Sequence, residues 1–353
     1  MTVPAPTSPN PDAPTPTPGP APDKRADLVL EGGGVKGIGL VGAVITLSDA
    51  GWTFPRVAGT SAGAICAALV AALQRAGRPM SDLQSIMQQI DYSAFMRGDW
   101  AERHLGRVAE AGHLALHMGI YDGDYLVEWL GGVLGSLGVT TFGDLRLDDP
   151  GSSLPAACQY ALVVHTADIT RNKLDRLPWD YPEYGVTVDS SRIVDAVRAS
   201  MSIPFFFDPI RFEAPAHDDG IDSYAAGTVT WVDGGLLSNF PVEVFDRSDG
   251  LPSRWPTIGV KLSAGSPTPV AKHNPKDALQ EAIACVRTTM DNAGRFYIPP
   301  DKAARTIFVD SFGLAATDFH LSPADQQKLY ASGVSGATTY LSRLAASQSA
   351  LPG

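Results

Sequence analysis

Apolar and polar positions along this chain switch between two periods. Short apolar runs of strand length stand at Asp27–Leu30, Arg56–Gly59, Tyr160–His165, Arg211–Phe212, Val229–Val232, Thr257–Leu262 and Thr306–Val309. Longer stretches with helical spacing lie between them. Ile38 to Ile45 is apolar throughout and predicts a buried helix; Ala62 to Leu73, rich in alanine on all sides, predicts another. Apolar strands that alternate with helices belong to a mostly parallel sheet covered on both faces. The expected fold class is α/β, with three α/β/α layers around a mostly parallel central sheet.

Between the second helix and the Tyr160 run the chain reads as helices. Tyr121-Asp122-Gly123-Asp124 starts one of them, and Leu126, Trp129, Leu130 and Val133 give it a stripe spaced by threes and fours. Tyr92, Phe95, Met96, Trp100 and Met118 add enough apolar mass to cap a cleft, although such mass more often belongs to a core than to a lid. Leu279, Ile283, Val286 and Met290 form a further stripe read as packing alone, and Asp218 to Gly227 reads as a loop. Residues 1–24 read as a disordered proline-rich arm, 25–345 as one domain with a helical cap inserted at about 80–150, and 346–353 as a frayed tail.

Composition narrows the partners. A net charge of -11 argues against nucleic acid, whose binding needs basic surface to neutralise phosphates, and against electrostatic capture by strongly anionic membranes. Cys66, Cys158 and Cys285 are odd in number and far apart, which suits a reducing compartment; Cys66 reads as a small core residue. The apolar stretch Ala62–Leu73 falls short of the ~20 residues a spanning helix needs. Residues 1–22 hold nine prolines and lack the basic start and apolar core of a secretory signal. The expected place is the cytoplasm, at most peripheral to a membrane. No His, Cys and Asp grouping has metal-ligand spacing, so no cofactor is expected.

Three segments carry candidate chemistry. Gly59-x-Ser61-x-Gly63 lies between an apolar run and a helix-forming stretch, where a sharp turn would push the serine hydroxyl out of the fold. Such a pentapeptide is weak evidence by itself in a chain of 35 glycines. The run Asp27–Leu30 leads into Gly32-Gly33-Gly34-Val35-Lys36-Gly37, a loop whose N–H groups can converge on a phosphate or an oxyanion beside a helix N-terminus. Val229–Val232 ends in Asp233-Gly234-Gly235, at a strand end where open α/β sheets place reactive groups.

In chain order, Gly32–Gly37, Gly59–Gly63 and Asp233–Gly235, the three motifs resemble the patatin-like phospholipase family over roughly residues 26–245. The segments Arg198–Phe206 and Asp233–Pro241 also resemble that family, as does a loop containing Asp168 and Thr170, to which no chemical step is assigned. The resemblance implies a patatin-like fold and a Ser-Asp dyad, with Ser61 as nucleophile, Asp233 as base and Gly32, Gly33 and Gly34 as the oxyanion hole. It also implies a lipid acyl hydrolase of phospholipase A type, with a lipid substrate, transient membrane-surface contact and room for a protein activator. Lys36 matches a basic position of the family and is a candidate to anchor the loop or steer a lipid phosphate; its plain alternative is a surface lysine.

Each role has a rival. Ser61 could simply cap a helix, and Asp233 could simply start a turn. His165, at the end of its strand, is the rival base for a carboxylesterase with a histidine triad. The other histidines, His104, His113, His117, His217, His273 and His320, fall in regions that read as helix or loop. Gly32-x-Gly34-x-x-Gly37 also satisfies a dinucleotide fingerprint, but the second strand ends in Ala58-Gly59-Thr60-Ser61 rather than an acid, and Asp49 lies at the first helix.

Overall fold

The computed structural model describes residues 24–91, 94, 121, 123–247, 249, 251, 253–262, 275, 278–292, 298–314, 316 and 321–349. The proline-rich arm before Lys24 lies outside these residues. So do Tyr92, Phe95, Met96, Trp100, Met118 and five of the histidines: His104, His113, His117, His273 and His320.

The chain opens with β1 (Asp27–Leu30), a 3-10 turn at Gly34–Gly37, α1 (Ile38–Asp49), β2 (Val57–Thr60) and α2 (Ala62–Arg75). Next come α3 (Asp82–Gln88), α4 (Asp124–Ser136), β3 (Leu162–Asp168), β4 (Lys173–Leu177) and α5 (Ile193–Ser200). Then follow β5 (Ile210–Ala214), the short pair β6 (His217–Asp218) and β7 (Ser223–Tyr224), and β8 (Gly227–Asp233). The last part holds β9 (Thr257–Lys261), α6 (Ala278–Asn292), α7 (Pro300–Ala304), β10 (Thr306–Phe308) and α8 (Pro323–Ser349).

The main sheet runs β10-β9-β1-β2-β3-β8-β5, with β4 also paired to β3. Pairing is parallel from β10 through β3, and antiparallel for β4, β8 and β5. This is the mostly parallel α/β/α arrangement the hydrophobic pattern predicts. Strands β1, β2 and β9 are buried at every residue, as strands covered on both faces must be. Leu28, Leu30, Val57, Leu162 and Val164 join a core with α1 and α2, while Val29, Ala58 and Val163 meet Val242 and Phe245 in a smaller apolar layer. That alternation is the period of two in a pleated strand.

Three expectations are corrected, and one strand was missed. β3 runs to Asp168, because Thr166 to Asp168 pair with β8. β4, with lysine, aspartate and arginine among its five residues, is a strand that its polarity hid. Part of the expected Asp218–Gly227 loop is the β6–β7 hairpin. Helix α8 continues past Ala345 to Ser349, so the tail does not fray where expected. Of the α4 stripe, Leu126 and Leu130 are buried in the main core, Trp129 and Val133 pack against it half-buried, and Leu134 joins the buried face.

Candidate active site

The register of β3 explains how two motifs far apart in sequence meet. One edge of β3 is occupied by β4 from Val164 to Asp168. Its other edge carries β2 as far as Thr60, opposite His165, and then β8 from Asp233, opposite Thr166. β2 runs parallel to β3 and β8 antiparallel, so their C-terminal ends abut head to head. Ser61 follows directly after Thr60, and Asp233 is the last residue of β8.

Ser61 has φ 54° and ψ -126°, a conformation that L residues rarely adopt. Its side chain makes no capping hydrogen bond to α2, which removes the plain helix-cap explanation. The turn is possible because the residues two before and two after it lack side chains. A Cβ on Gly63 would lie 2.3 Å from the carbonyl oxygen of Leu30, and one on Gly59 would lie 2.2 Å from that of Gly63. Ser61 is 2% exposed, and its N–H donates to Ser200 Oγ at 2.9 Å.

Asp233 is fully buried, and burial pushes its proton affinity up to about 7. The Ser61 hydroxyl and the Gly235 N–H, which donates to Oδ1 at 2.8 Å, pull it partly back. Oδ2 has no hydrogen-bond partner. Ser61 is thus within reach of the carboxylate without a closed hydrogen bond to it, a looseness common before substrate binds.

The glycine loop stands beside this pair. A Cβ on Gly32 would meet Ser61 Cβ at 3.2 Å and Asn239 Oδ1 at 2.1 Å. Gly32 is clasped by Asn239: its N–H donates to the Asn239 carbonyl at 3.1 Å, and Asn239 Nδ2 donates to its carbonyl at 2.9 Å. This corrects the expectation for Gly32, whose N–H is already engaged. Among the described residues the N–H groups of Gly33 and Gly34 donate to nothing. Gly34 has φ 55°, and Ala316 presses its carbonyl onto the loop, taking the Val35 N–H at 3.0 Å.

Lys36 is buried at 9% exposure, so it is no surface lysine. Its Cε would lie 3.6 Å from a Cβ on Gly33, which places its stem across the loop. Lys36 makes no ion pair among the described residues.

Two comparisons bear on this geometry. Residues 28–246, which include every residue named above except Ala316, match the profile of the family described as Patatin-like phospholipase. The chain is also 32% identical over 307 residues to the protein named "Uncharacterized protein YqhO" of Bacillus subtilis (strain 168), covering 86% of this chain and 92% of YqhO. The chain belongs to the patatin-like phospholipase family.

Membership of that family supports a lipid hydrolase of the esterase type. Among solved structures, VipD from Legionella pneumophila is similar at a TM-score of 0.48 and 17% identity, over 92% of this chain and 67% of VipD. ExoU, in its heterodimeric complex with SpcU from the type III secretion system of Pseudomonas aeruginosa, gives a TM-score of 0.42 and 16% identity. This patatin-like chain spans about half of ExoU, 52% of its length.

His165, the rival base, is 1% exposed, and burial holds its pKa down at about 4. Its Nδ1 faces the Gly59 carbonyl at 3.4 Å; a carbonyl only accepts, so Nδ1 carries the proton. His165 is therefore a neutral ring tied to the backbone of the elbow.

Four residues of the patatin-like site escaped sequence reading. Asn239 clasps the glycine loop, and Ser200 holds the Ser61 N–H. Ser202 accepts the Asp233 N–H on its carbonyl at 2.9 Å. Met290, read as packing alone, would touch a Cβ on Gly235 at 2.9 Å. Their segments resembled the family or carried a stripe, but the partners they meet lie far away in sequence and leave no local pattern. Among the described residues no helix is long and apolar enough to cross a membrane.

Proposed function

We propose that this patatin-like protein hydrolyses ester-linked acyl chains of lipids through Ser61 and Asp233. The observation that carries the reading is the junction of β2 and β8, which sets a buried carboxylate with an unpartnered oxygen against a serine on a strained turn. A carboxylate in that position, with proton affinity raised to about 7, is a far better base than one in water at ~3.9.

In the proposed cycle Ser61 Oγ attacks the ester carbonyl and passes its proton to Asp233. The carbonyl oxygen takes the developing negative charge, and the N–H groups of Gly33 and Gly34 stabilise it. The tetrahedral intermediate collapses to an acyl-enzyme, and Asp233 gives its proton to the departing alcohol. Water then attacks the acyl-enzyme, loses a proton to Asp233 and releases the fatty acid. No step uses a metal or organic cofactor. Leu262, whose Cδ1 would meet a Cβ on Gly33 at 2.3 Å, and Met290 give the site apolar walls that suit an acyl chain.

In the same reading the Lys36 ammonium, beside Gly33, steers an anionic headgroup toward the loop. The protein works in the cytoplasm at a membrane surface that it touches transiently. A fluorophosphonate probe should label the purified protein once, at Ser61, and Ser61→Ala should abolish both labelling and hydrolysis of a short-chain ester. Full activity in that variant would refute the assignment.

A further inference from the structure

We propose that Ser200 is a positioning residue that opens the β2–β3 ladder by one hydroxyl and so sets Ser61 against Asp233. The inference rests on the dyad reading above and concerns what holds the dyad in place.

The phase of the ladder is fixed at its start, where the Val57 N–H donates to the Ala161 carbonyl at 2.8 Å. A parallel pair repeats that rung every two residues. Two repeats on, the Ser61 N–H would donate to the His165 carbonyl. It does not. The Ser61 N–H donates to Ser200 Oγ at 2.9 Å, and the Ser200 hydroxyl donates its own proton to the His165 carbonyl at 2.6 Å. The hydroxyl is inserted in the rung, with both partners satisfied and its proton direction fixed.

The insertion has two consequences. It moves Ser61 away from β3 where the regular ladder would hold it extended, which lets the chain take the φ 54° of the elbow. It also satisfies a buried N–H that the ladder has given up, a group costly to leave unpaired. The base is gripped by the same turn, since the Asp233 N–H donates to the Ser202 carbonyl at 2.9 Å. Nucleophile and base are thus held by positions two residues apart at the end of α5. Arg198 stiffens that turn: its Nη1 donates to Ser202 Oγ at 2.6 Å, and its Nη2 donates to the Asp208 carbonyl at 2.9 Å.

A residue that only positions should change turnover and leave substrate affinity alone. In the full-length protein acting on a soluble short-chain ester, Ser200→Ala should lower kcat by about 10- to 100-fold, the scale of a small misplacement of reacting groups, with KM within about twofold. The rate of fluorophosphonate labelling at Ser61 should fall in parallel. Ser200→Thr and Ser200→Val have the same shape and differ only in the hydroxyl, so they decide the matter even if the alanine variant fails to fold. Thr should turn over at least about tenfold faster than Val, a difference of the size expected for a lost buried hydrogen bond. Equal rates in that pair, or a kcat in Ser200→Ala within twofold of wild type, would overturn the inference. A Ser61→Ala control that stays active would instead overturn the dyad on which it rests.

Discussion

Asp233 and Asp175 occupy matching positions on the two edges of β3, since both pair in register with Thr166. Burial pushes both up to about 7. Their surroundings differ. Asp175 Oδ2 lies 2.7 Å from the Tyr184 hydroxyl oxygen, and the Lys173 ammonium lies 3.5 Å from its Oδ1. Tyr184 also contacts Asp168 at 2.9 Å. One phenolic proton cannot serve two ionised carboxylates, so Asp175, the one that burial raises, supplies the second proton, while Asp168 is held by the N–H groups of Thr170 and Arg171. Each carboxylate keeps one oxygen without a hydrogen bond; that of Asp175 faces the Lys173 ammonium, whereas Asp233 has no cation among the groups that shift it and has a strained serine within reach. A raised proton affinity therefore does not by itself mark a catalytic group; what the carboxylate faces decides.

The comparison is sharpened by disturbing each side separately. On the Asp233 side the glycine loop is disturbed by Gly34→Ala. Its Cβ would fall 1.9 Å from the Ala316 carbonyl oxygen at a φ of 55°, so the loop must move and carry its donors away. Losing one oxyanion donor costs about 10²–10³ in kcat, measured on protein whose melt shows it folded. Comparable turnover in the variant would remove this loop from the oxyanion site.

On the Asp175 side turnover should not move. Asp175→Asn reproduces the protonated acid, since its amide donates to Tyr184 while Tyr184 donates to Asp168. The sign of the stability effect follows from linkage. The folded pKa, about 7, lies above the ordinary carboxylate value of 3.8, so the folded state holds the proton more tightly. Wild type then loses stability as pH rises from about 4 to about 7 and levels off above. Melting temperatures should therefore show Asp175→Asn gaining on wild type across that window, with kcat within about twofold, as for a change remote from the reacting atoms. A large loss of turnover would make the two carboxylates parts of one machine.

The same contrast shows what a sequence exposes. Ser61 and Asp233 were legible because a glycine elbow and an aspartate at a strand end leave marks in residue type. Strands such as β1 and β9 were legible because covering both faces demands continuous apolar residues. β4 was hidden because Asp175 and Lys173 point into a polar cluster that only the folded chain assembles. The β6–β7 turn looked like a loop since Asp219 binds the N–H groups of Ile221 and Asp222, a local bond that says nothing about flanking pairing. Ser200 depends on the phase of a ladder between two other strands, which no pattern around residue 200 encodes.

The central claim is that a carboxylate, not an imidazole, takes the serine proton. It is tested most directly by the pH dependence of kcat/KM in Asp233→Asn beside His165→Asn, the latter keeping an N–H for the Gly59 carbonyl. Wild-type kcat/KM should rise as pH passes through about 7, where Asp233 loses its proton. Asp233→Asn should lower kcat by about 10²–10⁴, the span of a positioned general base, and its residual rate should be flat across that window. His165→Asn should keep both the rate, within a few-fold, and the inflection. A collapsed rate in His165→Asn, with Asp233→Asn near wild type and still rising through pH 7, would contradict the account.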